Sequence, residues 1–176
     1  MSIVIETERL FLRKFRQDDA GLIYQLNSDP EVTRYTCDPV FDQGQAARIL
    51  NQVILPQYDL YHCGRWAVHL RSNYEFIGWC GLKYIPERDE IDLGYRFLKE
   101  FWRRGYATES ALACLNYGFD QLNFNRIIAR ALPENHASIR VLEKCGMQYR
   151  GQEFVDGHLH KTYQATNPSI PAAGPS

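Results

Sequence analysis

An α/β (α+β) fold built on one mixed sheet is what this chain of 176 residues predicts. Two hairpin signals lie toward the ends, and two strand–helix–strand crossovers occupy the middle. No internal repeat or interdomain linker interrupts them. The length suits one substantial core and is short for two. A composition of 45% hydrophobic and 13% aromatic residues belongs to a folded chain.

The elements follow in order. Strand character covers residues 7–15, and Asp18 or Asp19 caps a helix carrying Leu22, Ile23 and Leu26. A second helical stretch runs over 43–55. Residues 65–71 and 75–83 read as strands joined through Ser72-Asn73. Over 90–98, Ile91, Leu93, Tyr95 and Phe97 alternate with Glu90, Asp92, Gly94 and Arg96, giving one apolar and one ionisable face. After a short connection, Ala111, Leu112, Leu115, Phe119 and Leu122 form a helical stripe able to cover a sheet, with Gly118 as its weak point. Residues 125–132 form the next strand, broken by Pro133. Asn135 caps a helix carrying Ile139, Val141, Leu142 and Cys145, and Gly146 stops it. Residues 147–155 and 158–165 flank Asp156-Gly157, a strong hairpin turn. The remainder, 166–176, is a Pro/Ala/Ser-containing tail read as flexible.

Charge and cysteine usage narrow the function classes. Twenty basic against 21 acidic residues give no broad electrostatic case for nucleic acid or an anionic membrane. Five cysteines without a C-x-x-C pair fit a reducing compartment, where Cys37, Cys63, Cys80, Cys114 and Cys145 serve as small buried side chains. The amino terminus soon becomes charged and shows no targeting segment, so a cytoplasmic location is expected. His158 and His160 share a strand face but lack a third ligand nearby, which makes a poor zinc site, and no metal is expected. His136 lies beside Asn135 at a helix start.

The strongest chemical signal is the junction Trp102-Arg103-Arg104-Gly105-Tyr106-Ala107-Thr108-Glu109. Free N–H groups at a helix start, the positive end of its dipole and two arginines would hold a phosphate or pyrophosphate, with Gly105 allowing close approach. Taken alone, the segment also fits an ordinary strand-to-helix turn with solvated arginines. Together with the following strand and Asn-His-Ala-Ser-Ile-Arg-Val-Leu-Glu-Lys-Cys-Gly-Met at 135–147, the order resembles the GCN5-related N-acetyltransferases. The opening Thr7-Glu8-Arg9-Leu10-Phe11-Leu12-Arg13 is similar to their RimJ/RimL-type branch, which modifies ribosomal proteins. The resemblance spans roughly residues 6–165.

That resemblance implies a mostly antiparallel central sheet flanked by helices, in which two central strands splay at a bulge and admit the pantetheine arm of acetyl-coenzyme A as a pseudo-strand. Here those strands are 90–98 and 125–132. It implies an N-acetyltransferase domain over 1–165, acetyl-coenzyme A as co-substrate, and coenzyme contacts from Arg96, Phe97, Leu98, Trp102, Arg103, Arg104, Gly105, Tyr106, Ala107, Thr108, Asn135 and Ser138. Trp102 stands where the family often has Gln or Arg, a replacement common in the RimJ/RimL branch. Leu142 stands where many relatives carry the tyrosine that protonates the departing thiolate, so Ser138, or a water held by Asn135, is the candidate acid.

The implied reaction has three requirements. The amine must be neutral, which is easier for an α-amino group (pKa about 8) than for a lysine (about 10.4). Glu90 and Asp92, two apart on one strand face, are candidate bases, directly or through water. The oxyanion needs a donor, which the resemblance places at a backbone N–H near Arg96 or Phe97. The thiolate, with a pKa of about 8.5 if it resembles cysteine, leaves tolerably without a dedicated acid. The expected acceptor is therefore a protein or peptide α-amino group. The alternatives are a small amine such as an aminoglycoside or polyamine, or a coenzyme-binding module without catalysis. Neither nucleic acid nor membrane is an expected partner, and the protein is expected to be a monomer or homodimer.

Overall fold

The structure, a computed structural model, describes residues 1–171. Its strands are β1 (Ile3–Glu6), β2 (Leu10–Arg13), β3 (Gly64–Leu70), β4 (Phe76–Ile85), β5 (Glu90–Phe97), β6 (Arg126–Ala131), β7 (Gln148–Val155) and β8 (His158–Thr166). They form one sheet in the order β1-β2-β3-β4-β5-β6-β8-β7. Every neighbouring pair is antiparallel except β5 and β6. The helices are α1 (Ala20–Asn27), α2 (Gln43–Ile49), α3 (Leu55–Tyr61), α4 (Tyr106–Asp120) and α5 (His136–Lys144). This is the mixed α/β sheet that the order of elements predicts, with the mostly antiparallel pairing that the resemblance implies.

Two differences from the sequence reading have local causes. The single strand expected over 7–15 is the hairpin β1–β2, with Ile3, Val4 and Ile5 as an extra β-branched strand. The chain reverses where Thr7 N–H donates to Leu10 O (2.9 Å) and Leu10 N–H donates to Thr7 Oγ1 (3.1 Å). The helix expected over 43–55 continues to Tyr61 through a π-turn at Leu50–Ile54, where Leu55 N–H donates to Leu50 O. Pro56 has no N–H and would crowd the carbonyl four residues back, so a widened turn just before it lets the helix continue. His62, in the left-handed region at φ 58°, ends it.

Helix α4 covers the sheet face carrying the alternate residues Leu93 and Phe97, both buried. Trp66 packs edge-on against Tyr117, with ring centroids 5.4 Å apart. Gly118, a weak point in the helical pattern, has a packing reason: a Cβ there would lie 2.7 Å from Leu82 and 2.9 Å from Ile127. Cys63, Cys80 and Cys114 are buried as expected, whereas Cys37 is exposed in the α1–α2 connection. Of the stretch read as a tail, Thr166 ends β8, and buried Asn167 donates to Phe124 O (3.0 Å) and Phe119 O (3.4 Å). Residues 172–176 lie outside the described residues. Among the described residues, no helix is long and apolar enough to cross a membrane.

Candidate active site

Strands β5 and β6 pair at one position, Asp92 opposite Ile128, and then separate. A cleft of about 540 Å³ opens at that separation, with Leu93–Arg96 on one side and Ala129–Leu132 on the other. The splay is therefore present, but β5 keeps an unbroken register with β4 from Glu90 to Phe97. The implied bulge is not seen in that pairing; the gap comes from divergence of β6. Leu98 N–H donates to Ile77 O on the β4 side (2.9 Å). In an antiparallel ladder alternate residues bond the same neighbour, so Arg96 also faces β4, while the amides of Tyr95 and Phe97 face the gap. Of the two oxyanion donors expected, Phe97 is the one so placed.

The cradle lies just beyond β5. Leu98 leads into a single 3-10 turn, Lys99–Phe101, and Trp102 Nε1 donates back to Phe97 O (2.8 Å). Arg103 (φ 61°) and Gly105 (φ 81°) then turn the chain sharply into α4. Glu109 N–H makes the first helical bond, to Gly105 O (3.0 Å), which leaves the N–H groups of Tyr106, Ala107 and Thr108 without a preceding turn to bond. Arg103 and Arg104 are exposed and have no carboxylate partner among the described residues. This is a set of unbonded donors and exposed cations at a helix start, of the kind that suits a pyrophosphate.

A brace behind the cradle went unread in the sequence. Arg9 Nη1 donates to Arg104 O (2.9 Å) and its guanidinium lies 4.5 Å from the Tyr106 ring centroid. Glu109 receives Thr7 Oγ1 (2.7 Å), Arg9 N–H (3.0 Å) and Arg9 Nε (2.7 Å). Burial pushes the Glu109 carboxyl up, but these bonds hold it below the ordinary range. The opening Thr-Glu-Arg and the later Ala-Thr-Glu, two separate motifs in the chain, thus meet in space.

The two candidate bases have different surroundings. Glu90 does not line the cleft; its Oε2 is held by Arg130 Nη2 (2.7 Å) and Arg88 Nε (3.2 Å). Asp92 lines the cleft, and its Oδ2 is held by Arg65 Nη2 (2.5 Å), while Oδ1 has no hydrogen-bond partner among the described residues. Gly94 leaves room for that arginine, since a Cβ there would lie 2.5 Å from Arg65 Nη2. The pairing partners Arg65 and Arg130 come from strands distant in sequence.

On the other wall, Asn135 Oδ1 caps α5 by accepting Ser138 N–H (3.2 Å), and Asn135 Nδ2 has no partner among the described residues. The Tyr95 hydroxyl lies 2.9 Å from both Ser138 O and Ser138 Oγ. Burial pushes the Tyr95 phenol up, so it keeps its proton and donates. Leu142 lines this wall with an apolar side chain. The Arg96 side chain points across the cleft to Asn27 and Asp38, with its guanidinium 4.9 Å from the Trp79 ring. Its Nε is buried and unpartnered among the described residues, and burial lowers its pKa from the ordinary value. His160 lines the cleft, whereas His136 and His158 are exposed.

Residues 9–148 match the acetyltransferase (GNAT) domain. An uncharacterised N-acetyltransferase, p20, of Bacillus licheniformis is 36% identical over 162 residues, covering 89% of this chain and 91% of that protein. An acetyltransferase of the GNAT family from Bacillus anthracis superposes with a TM-score of 0.78 at 29% identity, covering 93% and 98% of the two chains. RimL, a ribosomal L7/L12 α-N-protein acetyltransferase solved with coenzyme A, superposes with a TM-score of 0.82 at 16% identity, covering 96% and 100%. That last likeness is one of fold.

Proposed function

From a chain that belongs to the GNAT acetyltransferase family, and is an acyl-CoA-dependent N-acetyltransferase, we infer that the acceptor is the α-amino group of a peptide or protein. The observation that carries this reading is the base side of the cleft, where Asp92 offers one unengaged oxygen and Glu90 stands outside, tied to Arg130 and Arg88. Weak provision for deprotonation suits an amine of pKa about 8 better than one near 10.4.

In this reading the cradle of Arg103, Arg104 and the N–H groups of Tyr106, Ala107 and Thr108 holds the pyrophosphate. Trp102, Gly105 and Leu98 shape the loop, and Asn135 Nδ2 with the free backbone edge of Tyr95 and Phe97 receives the pantetheine arm. Asp92 accepts a proton from the acceptor ammonium, directly or through water. The nitrogen lone pair attacks the thioester carbonyl, and the oxyanion is held by Phe97 N–H. Collapse breaks the carbon–sulfur bond while the nitrogen gives up its remaining extra proton to solvent, and a water, or Ser138 taking a proton from solvent as it gives one up, passes a proton to the thiolate.

The test is a coenzyme-release assay over peptides, free amino acids and polyamines, with mass spectrometry of the product. Acetyl on the peptide α-nitrogen is expected. Transfer to polyamines with none to peptides would overturn the assignment.

A further inference from the structure

The charge of the cleft specifies more than an amine, and the following rests on the reading just given. Four cations line it, Arg65, Lys83, Arg96 and Arg130, against two carboxylates, Asp38 and Asp92. The lining by itself therefore carries a formal excess of two positive charges with His160 counted neutral, before the carboxylates just outside it are included. Both carboxylates are already engaged, Asp92 by Arg65 and Asp38 by Arg96. Arg130 is matched from outside the lining by Glu90 (2.7 Å) and Glu153 (2.6 Å). Lys83 has neither an ion pair nor a side-chain hydrogen bond among the described residues.

Lys83 is also specifically placed. It sits opposite Asp92 in the β4–β5 ladder, yet the Asp92 carboxylate has turned to Arg65, whose guanidinium lies over Gly94 with only 16% of its side chain exposed. Opposed residues of such a pair have Cα atoms about 5.5 Å apart when they exchange backbone bonds. An unpaired lysine and a half-free carboxylate therefore rise from paired positions on neighbouring strands into the same cleft.

We propose that the acceptor end of the cleft selects amines carrying a carboxylate close to the nucleophilic nitrogen, with Lys83 receiving the carboxylate while Asp92 faces the amine. The unmatched charge of Lys83 repels polycations such as spermidine or an aminoglycoside and attracts the anionic end of a zwitterion. It also disfavours the ammonium form of a bound amine, which helps deliver the neutral nucleophile that Asp92 alone serves. Two sources supply the same chemistry: an acidic side chain near the start of a peptide, and the α-carboxylate of a free amino acid.

Steady-state kinetics with acetyl-coenzyme A separates them. Three peptides identical except for Asp, Asn or Lys at the second position are compared with a free amino acid, its carboxamide and spermidine. The expected order of kcat/KM is Asp over Asn over Lys, with at least about a tenfold spread that narrows as salt is raised. A free amino acid that outperforms both its carboxamide and the acidic peptide identifies the α-carboxylate as the group bound, which upholds the anion preference and overturns the peptide or protein acceptor of the proposed function. Lys83→Glu should invert the Asp-to-Lys ratio, and Lys83→Met should bring it toward unity chiefly through KM. Equal kcat/KM for acidic and basic acceptors, or a ratio unmoved in both variants, overturns the proposal. If no acceptor is acetylated, the proposed function fails separately. Calorimetry of the acidic and basic peptides against the coenzyme-bound protein then decides, and equal affinities overturn the anion preference.

Discussion

Two arginine–carboxylate clusters of this molecule use the same residue types to opposite ends. On the β2–β3 pair, Arg13 donates to Asp19 through Nη1 (2.6 Å) and Nη2 (3.1 Å), to Lys14 O (3.0 Å) and to His69 Nε2 (3.1 Å). Asp19 also accepts Arg16 N–H (2.8 Å), and His69 stacks on Phe11. Each nitrogen of Arg13 has a partner. In the cleft, by contrast, Asp92 keeps one oxygen free, Arg96 Nε is orphaned and Lys83 is unpaired among the described residues. A satisfied polar network fixes a structure, and one with unspent groups is available to a ligand.

The largest effect that would break this comparison is Arg13→Met. It strands the Asp19 carboxylate in a buried position, and breaking such a pair costs about 3–5 kcal/mol. Chemical denaturation should show that loss, while turnover per folded molecule at low temperature stays near wild type. A stability change under about 1 kcal/mol would mean that the closed cluster is no more structural than a surface pair.

Next in size is Asp92→Asn, which should lower the rate at neutral pH about a hundredfold. The deficit should shrink as pH approaches the amine's own pKa, because solvent then supplies the neutral nucleophile. Glu90→Gln should cost far less, since Glu90 stands outside the cleft and joins β5 to Arg130. Comparable losses in the two single variants would remove the distinction between an engaged and a half-engaged carboxylate.

That distinction marks how far the sequence could be read. Alternation put Glu90 and Asp92 on one strand face, and the glycine, arginine pair and Asn135 cap marked both helix starts that frame the splay. These signals are local, carried by neighbours within a turn or a strand. What fixes the two carboxylates is not local: Arg65 reaches Asp92 from β3, and Arg130 reaches Glu90 across a parallel pairing that only the crossover creates. Asn27 and Asp38 belong to the α1–α2 region, which carried no chemical motif, so their hold on Arg96 was invisible. The Thr7–Arg9–Glu109 brace was visible as two motifs but not as a contact.

A milder probe is acid. Burial lowers the pKa of His69, and its Nε2 accepts from Arg13, so the folded state favours the neutral ring. The unfolded chain then binds the extra proton first, and stability should fall as pH drops below about 6.5, with a slope of at most about 1.4 kcal/mol per pH unit for one proton. Burial pushes Asp19 up, but Arg13 and Arg16 N–H hold it below the ordinary range. Its contribution is complete above about 3.9 and is lost at lower pH. Denaturation midpoints between pH 7 and 4 should decline in wild type and flatten in His69→Phe. An equally steep decline in that variant would move the titration elsewhere.

The smallest effect concerns the departing thiolate, and it tests whether the α5 wall belongs with the closed cluster or the open one. Leu142 cannot donate a proton, and the Tyr95 hydroxyl is 2.9 Å from both Ser138 O and Ser138 Oγ. With the phenol pushed up by burial, Tyr95 holds Ser138 in place, and Ser138, a weak acid on its own, passes a proton toward sulfur only as a relay that takes one from water. A dedicated general acid contributes about 100-fold to 10,000-fold. A thiolate with a pKa of about 8.5 needs less help, and water can replace a hydroxyl. Ser138→Ala should therefore lower kcat by about tenfold with coenzyme affinity within a few-fold, and Tyr95→Phe should cost no more. With an acetyl thioester of a more acidic aryl thiol the deficit should disappear, because the leaving group no longer needs the proton. Wild-type turnover in Ser138→Ala with acetyl-coenzyme A would place the Tyr95–Ser138 contact among the satisfied, structural interactions, and a deficit that persists with the aryl thioester would mean that Ser138 positions the substrate instead of protonating the thiolate.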